Sequence, residues 1–581
     1  MVDVLIVGAG PVGLSLALML NKCGVKFRII EKGVAAEYYA RAVAIQSRTL
    51  EILRQLDVLD SVISQGCKME FGIDIYSEGE LIVNTKFPLG DTPFPGIVSL
   101  AQSDTERILE EKLRSLGLSV EYNVELIDIA FNSKHEATSA TVKSLESGEV
   151  ENIKAPYIVG CDGGRSTTRK LAGIPFAGET ANITISVLDG EIETSIPGRK
   201  FHTIFFSAHT CVLMERISRK MIRFIIPSEG KQPHLIEEEF IQKVKATISP
   251  YTIKVVRVVR KNSFVLNERR AQFHFKENIF LCGDSAHVHS PAGGQGLNMG
   301  IQDAYNLAWK LSLMIQGLGQ HRVLSESFDS ERGRVAEQVL ESSGKLTRFA
   351  LPKSSLLSYI SRNFIMPYAL SNLQIKQHIS SLLSELFIKY GVGPLTRASN
   401  QPGILHWPFP GLGLRFPDFP VVHSTYHTTS SVHQFLVGGH CFEIFIHFPR
   451  RMFLLDAIED LYLLLQTAAS CPILKLKSSG PLFKTTSILK ADMFQIHQWA
   501  SSLICQGCEK QSTIEKTKKL LIATDLLIDQ LGSLQRQFLL PDNSATLLVL
   551  RPDSHLGLIH PISHHNFSDI LNSYFASFMH I

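Results

Sequence analysis

Gly8-Ala9-Gly10-Pro11-Val12-Gly13 lies directly after a short apolar run, Asp3–Val7, and opens a stretch of helical spacing, Pro11–Cys23. A second apolar run, Lys26–Ile30, follows and ends at Glu31. β-Branched residues favour strands in both runs, and strand, helix and strand in succession make a βαβ unit. Such a unit pairs parallel strands through a right-handed crossover. Gly8 permits the tight turn, Gly10 lets the backbone approach a pyrophosphate, and Gly13 lets the helix pack on the strand. The helix N-terminus adds a positive dipole and free N–H donors. Glu31, 18 residues after Gly13, stands where a carboxylate accepts both hydroxyls of an adenosine ribose. An acid there disfavours a 2′-phosphate, so FAD or NAD is the expected dinucleotide. With Pro11, Val12 and Lys32, these residues form the first candidate cofactor site.

Two later segments repeat the pattern of a strand ending in glycine. Gly160-Cys161-Asp162-Gly163-Gly164-Arg165-Ser166 follows the run Tyr157-Ile158-Val159 and precedes a helical start at Thr167–Leu171. Leu281-Cys282-Gly283-Asp284-Ser285-Ala286-His287 follows the compact run Asn278–Cys282. It continues into Pro291-Ala292-Gly293-Gly294-Gln295-Gly296-Leu297-Asn298 and a long helical pattern to Ile315. Between them, from about Ala181 to Phe264, strands separated by turns indicate an inserted β-rich domain. The remaining candidate helices are Arg48–Leu56, Asp104–Leu116 and most of 320–395. Pro and Gly then crowd 397–420, which reads as a linker into a separate α/β unit.

At the second and third glycine segments the chain resembles the p-hydroxybenzoate-hydroxylase-like (group A) flavoprotein monooxygenases, with all three motifs in family order over residues 3–310. The resemblance implies FAD, with Asp162 near the pyrophosphate and the nicotinamide path and with Gly283 and Asp284 at the ribityl chain. It places Gly293, Gly294, Gly296, Leu297 and Asn298 at the flavin ring. A ribityl acceptor at a strand end is expected in a buried crevice, where its oxygens need donors. Two weaker matches are Arg41, in Tyr39-Ala40-Arg41-Ala42, and Gln102, which the family places beside the cofactor. The segment Ser327–Ala336 matches a structural helix of the family, with Arg334 where a proline is usual. Leu547–Leu550 followed by Arg551-Pro552-Asp553-Ser554-His555 resembles the last strands of the thioredoxin-like domain of phenol-hydroxylase-type members. The acid that phenol hydroxylases carry before their Arg-Thr is missing from Val43-Ala44-Ile45-Gln46-Ser47-Arg48-Thr49, so no catalytic residue is assigned.

The expected fold is α/β: a Rossmann-like FAD-binding domain (1–180 and 266–396), an inserted β-rich substrate domain (181–265), a linker (397–420) and a thioredoxin-like domain (421–581). The expected activity is NAD(P)H- and FAD-dependent monooxygenation of an aromatic or related conjugated small molecule through a flavin C4a-hydroperoxide. O2 is the second substrate and NAD(P)H a transient co-substrate. A flavin reductase or dehydrogenase on the same scaffold, or a flavin-binding sensor without catalysis, is the alternative. His202, Phe205, Phe206, Met214 and Arg223 are candidates for the substrate wall. A balance of 58 Lys and Arg against 55 Asp and Glu, with no basic run of five, gives no nucleic-acid footprint. No apolar stretch is long enough to span a membrane. Nine scattered cysteines read as reduced thiols of a cytosolic protein. Cys505 and Cys508 spell CxxC but fall late, in a helical context without a second pair, so neither a redox role nor a metal site is expected. Residues 421–581 are expected to serve as a structural or dimerising domain.

Overall fold

The computed structural model describes residues 2–34, 42–88, 92–132, 137–197, 200–218, 220–230, 236–351, 356–386, 388–398, 414–416, 418, 420–423, 429–431, 441–448, 458–471, 483–489, 525–528 and 545–580. The fold is mixed α/β. A six-stranded sheet runs in the order Phe275–Lys276, Ile279–Leu281, Tyr157–Gly160, Val4–Val7, Phe27–Glu31, Glu121–Tyr122. All pairings in it are parallel except that of the first two strands. The central strand Val4–Val7 is buried throughout because helices cover both faces of such a sheet. The helix Pro11–Lys22 packs on it from one side and meets the helix Gly296–Ile315.

The β-rich region is larger than the insertion expected at 181–265. Its ten-stranded sheet adds Cys67–Ser77, Glu80–Lys86, Ile97–Ser99, Ala44–Ile45 and His287–Val288 to the strands of the insertion. The reason is an edge: Lys200–Phe206 would end the sheet with unpaired backbone groups, and Cys67–Ser77 pairs with it in parallel.

Eight strands, Arg397–Ala398 among them, form the C-terminal sheet. Arg397–Ala398 pairs with Leu556–Ile562, so the start of the expected linker is already part of this sheet. Most of 399–419, and Cys505 with Cys508, lie outside the described residues. The sheet is mixed: Phe442–Phe448, Phe483–Leu489 and Asp525–Ile528 run parallel, and Ala545–Leu550 pairs antiparallel with both Phe442–Phe448 and Leu556–Ile562.

One hydrophobic core joins this sheet to the first. It contains Ile6, Leu16, Trp309, Phe442, Leu547 and Phe575. The helix Gly296–Ile315 runs between the two, and every residue from Leu297 to Met314 is buried. Apolar residues meet both sheets, while Asn298, Gln302, Asp303, Asn306 and Lys310 form one polar stripe at helical spacing. A buried polar stripe must find partners. Asn306 donates to Glu331 (2.8 Å) and Asp553 (3.0 Å), and Lys310 donates to Glu331 (2.9 Å). Arg551 completes the cluster with two forks, onto Glu331 (2.6 and 2.8 Å) and onto Asp553 (3.1 and 2.6 Å).

Candidate functional site

The strands Val4–Val7, Tyr157–Gly160 and Ile279–Leu281 are parallel neighbours, so the three glycine segments that follow them meet at one edge. Gly8 adopts φ +105°, and a Cβ there would stand 2.4 Å from the Cys161 carbonyl oxygen. A Cβ on Gly13 would fall 1.9 Å from the Gly8 carbonyl oxygen. Both positions therefore exclude side chains, for the reasons of turn and packing that the sequence suggests. Gly10 differs: the nearest atom to a Cβ there is Glu106 Oε1 at 3.9 Å, which leaves room for a ligand to approach. The side chain of Val12 lies against Gly283 and Gly300, locking the first glycine segment to the third.

The electrostatics of this edge favour an anion. The helix Pro11–Lys22 starts from Gly10, and Gly296–Ile315 starts from Gln295. Neither has a side-chain cap or an acid in its first turn. Glu31 closes the strand Phe27–Glu31, and its carboxylate accepts the N–H of Ala9 (2.9 Å) and of Gly33 (2.8 Å). It therefore faces the glycine turn, as a ribose acceptor must. Lys32 beside it is exposed. Asp162 accepts both the N–H and the hydroxyl of Thr168 (2.9 and 3.0 Å) and so holds the helix Thr167–Leu171. Its other oxygen is buried with no partner among the described residues. Gln102 opens the helix Gln102–Ser115, accepts from Ala42 N–H (3.2 Å) and donates to Glu106 (2.9 Å). Arg41 lies outside the described residues.

Two residues of the third glycine segment differ sharply in exposure. Asp284 is exposed rather than buried, because the 3₁₀ turn Gly283–Ser285 points its side chain out while Gly283 and Ser285 turn in. Asn298, in contrast, is fully buried and already saturated. It accepts from Gln46 N–H (2.9 Å) and donates to the Ala44 and Gly294 carbonyls (2.9 and 2.8 Å), so its side chain braces the loop and only its backbone is left for a ligand.

The open approach at Gly10, two uncapped helix N-termini, the Glu31 carboxylate and the orphaned Asp162 oxygen fit a dinucleotide carrying a flavin. The FAD binding domain family matches residues 1–343. The chain belongs to this family. It is an FAD-dependent monooxygenase, and its relatives carry monooxygenase names. A protein of Bacillus subtilis named as an uncharacterized aromatic compound monooxygenase is 30% identical over 442 residues, covering 75% of this chain and 84% of its own. The 6-methylpretetramide 4-monooxygenase of Streptomyces rimosus is 29% identical over 413 residues, covering 68% and 71%. Among solved structures, an anhydrotetracycline hydroxylase from Streptomyces rimosus superimposes with a TM-score of 0.70, at 21% identity over 99% of both chains.

Behind the third glycine segment of the monooxygenase lies a buried charge cluster that sequence reasoning missed. Asp303 accepts the Gly283 N–H (3.0 Å) and pairs with His287 (2.7 Å) and Arg332 (2.6 Å). Burial opposes its ionisation, but Arg332 and His287 outweigh burial and hold the carboxyl well below the usual range. Arg332 also donates to the Met299 carbonyl (3.2 Å). The signal available in sequence was Asp303 itself, the one acid in the helix Gly296–Ile315.

The ten-stranded sheet sorts the candidate wall residues by face. Phe205 and Met214 point to the side covered by the helix Glu237–Ile248 and pack with Phe224 and Phe240. They are core, not wall. His202, Phe206 and Arg223 point to the opposite face, whose apolar part packs with Met366 and Leu370. On that face a polar row crosses four strands, with His202 opposite Glu215, Glu215 opposite Arg223, and Arg223 opposite Asp189. Arg223 grips Asp189 with two hydrogen bonds (2.7 and 2.9 Å), and His202 Nδ1 lies 3.5 Å from Glu215. Burial pushes Glu215 up to about 7 against the pull of Arg223, and pushes His202 down to about 4. Glu215 had no sequence signal of its own; only strand register brings it into the row.

A second buried acid gives a pH test. Glu385 accepts a hydrogen bond from Gln302, and burial raises it from 4.5 to about 8 despite the nearby Arg332. The folded protein thus keeps a proton that the unfolded chain releases, and stability falls as pH rises from about 4.5 to about 8. Glu385→Gln removes this loss. Its stability relative to wild type, from urea unfolding, is expected to rise between pH 5 and 8 by up to about 1.4 kcal/mol per pH unit. A difference that stays constant with pH would disprove the assignment.

Proposed function

We propose that this monooxygenase hydroxylates a phenolic or related conjugated small molecule, with FAD reduced transiently by NAD(P)H. One observation carries the reading: the sheet face bearing the His202–Glu215–Arg223–Asp189 row continues into apolar Ile204, Phe206 and Leu213. Such a surface suits a flat ring with a polar handle. The name of the Bacillus relative, an aromatic compound monooxygenase, supports the same class.

In this reading the turn at Gly8, Gly10, Pro11, Val12 and Gly13 holds the pyrophosphate. Glu31 and Lys32 take the adenosine end. Arg41, Gln102 and Asp162 line the path to the flavin, and Gly283 and the exposed Asp284 serve the ribityl chain. Gly293, Gly294 and the backbone of Gly296, Leu297 and Asn298 meet the ring. When bound, FAD supplies the electron transfer and oxygen activation. The chain's own task is orientation. The dipole of Gly296–Ile315 favours negative charge at its N-terminus, the Asp303 cluster fixes the loop, and the polar row sets the substrate's hydroxyl. Residues 1–180 and 266–396 mainly serve FAD, and 181–265, with the strands between Cys67 and Ser99 that extend its sheet, serve substrate. Residues 421–581 form a thioredoxin-like structural unit and the surface of a homodimer. No disulfide joins the seven described cysteines, and a cytosolic location is part of the same reading.

Glu31→Ala is expected to weaken FAD retention by roughly 1.5–3 kcal/mol, since a charged acceptor is lost; variant protein that stays fully yellow after exhaustive dialysis would contradict its role. The activity itself is tested by NAD(P)H oxidation and O2 consumption across a panel of phenols. Stimulated consumption with a hydroxylated product by mass spectrometry is expected. NAD(P)H oxidation that no phenol stimulates, or that yields only hydrogen peroxide, would refute the reading.

A further inference from the structure

The strands Cys211–Arg216 and Met221–Glu229 meet at a turn closed by the Ile217 N–H on the Met221 carbonyl (2.9 Å). Ser99 holds this turn by donating to the Arg216 carbonyl (2.5 Å). Ile217 packs in one cluster with Val43, Ala44, Met69, Phe71 and Phe87. That cluster reaches the third glycine segment, since a Cβ on Gly294 would stand 2.9 Å from that of Ala44. The turn thus brings the end of the polar row to the loop assigned above to the flavin ring.

Met221 and Arg223 are two apart on one strand and share a face, and Glu215 stands opposite Arg223. Met221 borders the Ile217 cluster, as do Leu370, Ile379 and Leu383 from the helices Met366–Ser371 and Leu373–Ser384. Leu383 also lies 3.0 Å from where a Cβ on Gly293 would be. Sheet, helices and glycine loop therefore stand on three sides of Glu215's end of the row.

The ionisable groups around this point differ in what they can do. Asp189 is committed: Arg223 grips it with two hydrogen bonds, and Arg260 stands opposite it on the next strand. Glu191, farther along the Asp189 strand, pairs with Arg257 (2.6 Å). On the helical cover, Arg362 lies over the Phe206 ring (5.2 Å). Val43–Ser47, across the cluster, carries no acid. Glu215 faces His202 Nδ1 at 3.5 Å, too long for a strong hydrogen bond. Burial leaves its carboxyl at about 7, with Arg223 pulling down and Asp189 pushing up, whereas His202 at about 4 is a far weaker base.

We propose that Glu215 is the proton acceptor for the substrate's hydroxyl. The inference rests on the reading of the protein as a hydroxylase of phenols. The substrate O–H bond breaks, its electron pair stays on that oxygen, and a new O–H bond forms on the Glu215 carboxylate, which later releases the proton to water. The phenolate is the more electron-rich form and so the better partner for an electrophilic oxygen, and Arg223 opposite Glu215 offers it a cation. A base with this affinity for protons suits catalysis near neutral pH.

The test follows kcat/KM of the FAD-loaded full chain across pH, with a phenol that stimulates NAD(P)H oxidation and with a fluorinated analogue already ionised at the assay pH. For the phenol, wild-type kcat/KM should climb with pH to about 7 and then level. For the ionised analogue the climb should be absent. Glu215→Gln keeps the shape of the side chain, and it should lower kcat for the phenol roughly a hundredfold at unchanged FAD content and unfolding midpoint. For the ionised analogue its loss should stay below about threefold. Glu215→Asp, which keeps a carboxylate, should recover part of the phenol rate. If the Gln variant does not fold, the two wild-type profiles decide alone. Equal losses for both substrates would reduce Glu215 to a structural group and overturn the proposal. So would an unchanged kcat in the Gln variant, or a wild-type phenol profile without the climb. Failure of every phenol to stimulate NAD(P)H oxidation would refute the proposed function, and this inference with it.

Discussion

Arg551→Ala is expected to lower the unfolding free energy by about 3–5 kcal/mol, the usual cost of removing one partner from a buried ion pair. Arg551 is wholly buried and answers two carboxylates, Glu331 and Asp553, with a fork on each. Lys310 and Asn306 already donate to Glu331, and the Arg48 guanidinium already donates to the Asp553 carbonyl (2.7 Å). Asn306 reaches both acids but carries no charge to offset theirs. Burial and the neighbouring Asp553 both disfavour the Glu331 anion, yet Arg551 and Lys310 hold its carboxyl down at about 2. The folded form therefore binds this proton more weakly than the unfolded chain does. Its contribution is complete above about 4.5 and is lost as pH falls towards about 2. Urea unfolding at pH 7 measures the variant. A loss below about 1 kcal/mol would show that the cluster is dispensable.

Asp303→Ala should be of similar severity, with an added loss of cofactor. It strands the fully buried Arg332 guanidinium and also frees the Gly283 N–H and His287. An uncompensated buried charge again costs about 3–5 kcal/mol. Because Gly283 belongs to the third glycine segment, purified variant should contain little FAD, and free FAD should restore only part of its stability. A variant with wild-type flavin content and unfolding midpoint would show that Asp303 does not hold the loop.

The two halves of the prediction differ for a physical reason. The glycine positions were legible because their constraint is local: at Gly8 and Gly13 a side chain would collide with backbone only a few residues or one strand away. The same holds for Glu31, placed by the end of its own strand. The polar clusters were not legible, since their partners lie far off in sequence. Glu331 and Arg551 are 220 residues apart, and Glu215 joins His202, Arg223 and Asp189 only through strand register. Asp284 stands at the strand end that the sequence indicates, in a 3₁₀ turn that sets its side chain outward.

The buried helix Gly296–Ile315 also bears on how the protein comes off the ribosome. Asn306 finds Asp553 only 247 residues later, and Trp309 meets Phe442 edge to face at 5.5 Å. At roughly 5–20 residues per second, on the order of 12–50 s pass between synthesis of this helix and arrival of its last partners. Through that interval an apolar helix with a stripe of unmatched polar groups waits uncovered, although the flavin-binding sequence is complete. Nascent chains should therefore engage chaperones late in translation, and a chain cut short before its final strands should be degraded rather than persist as a working flavin domain.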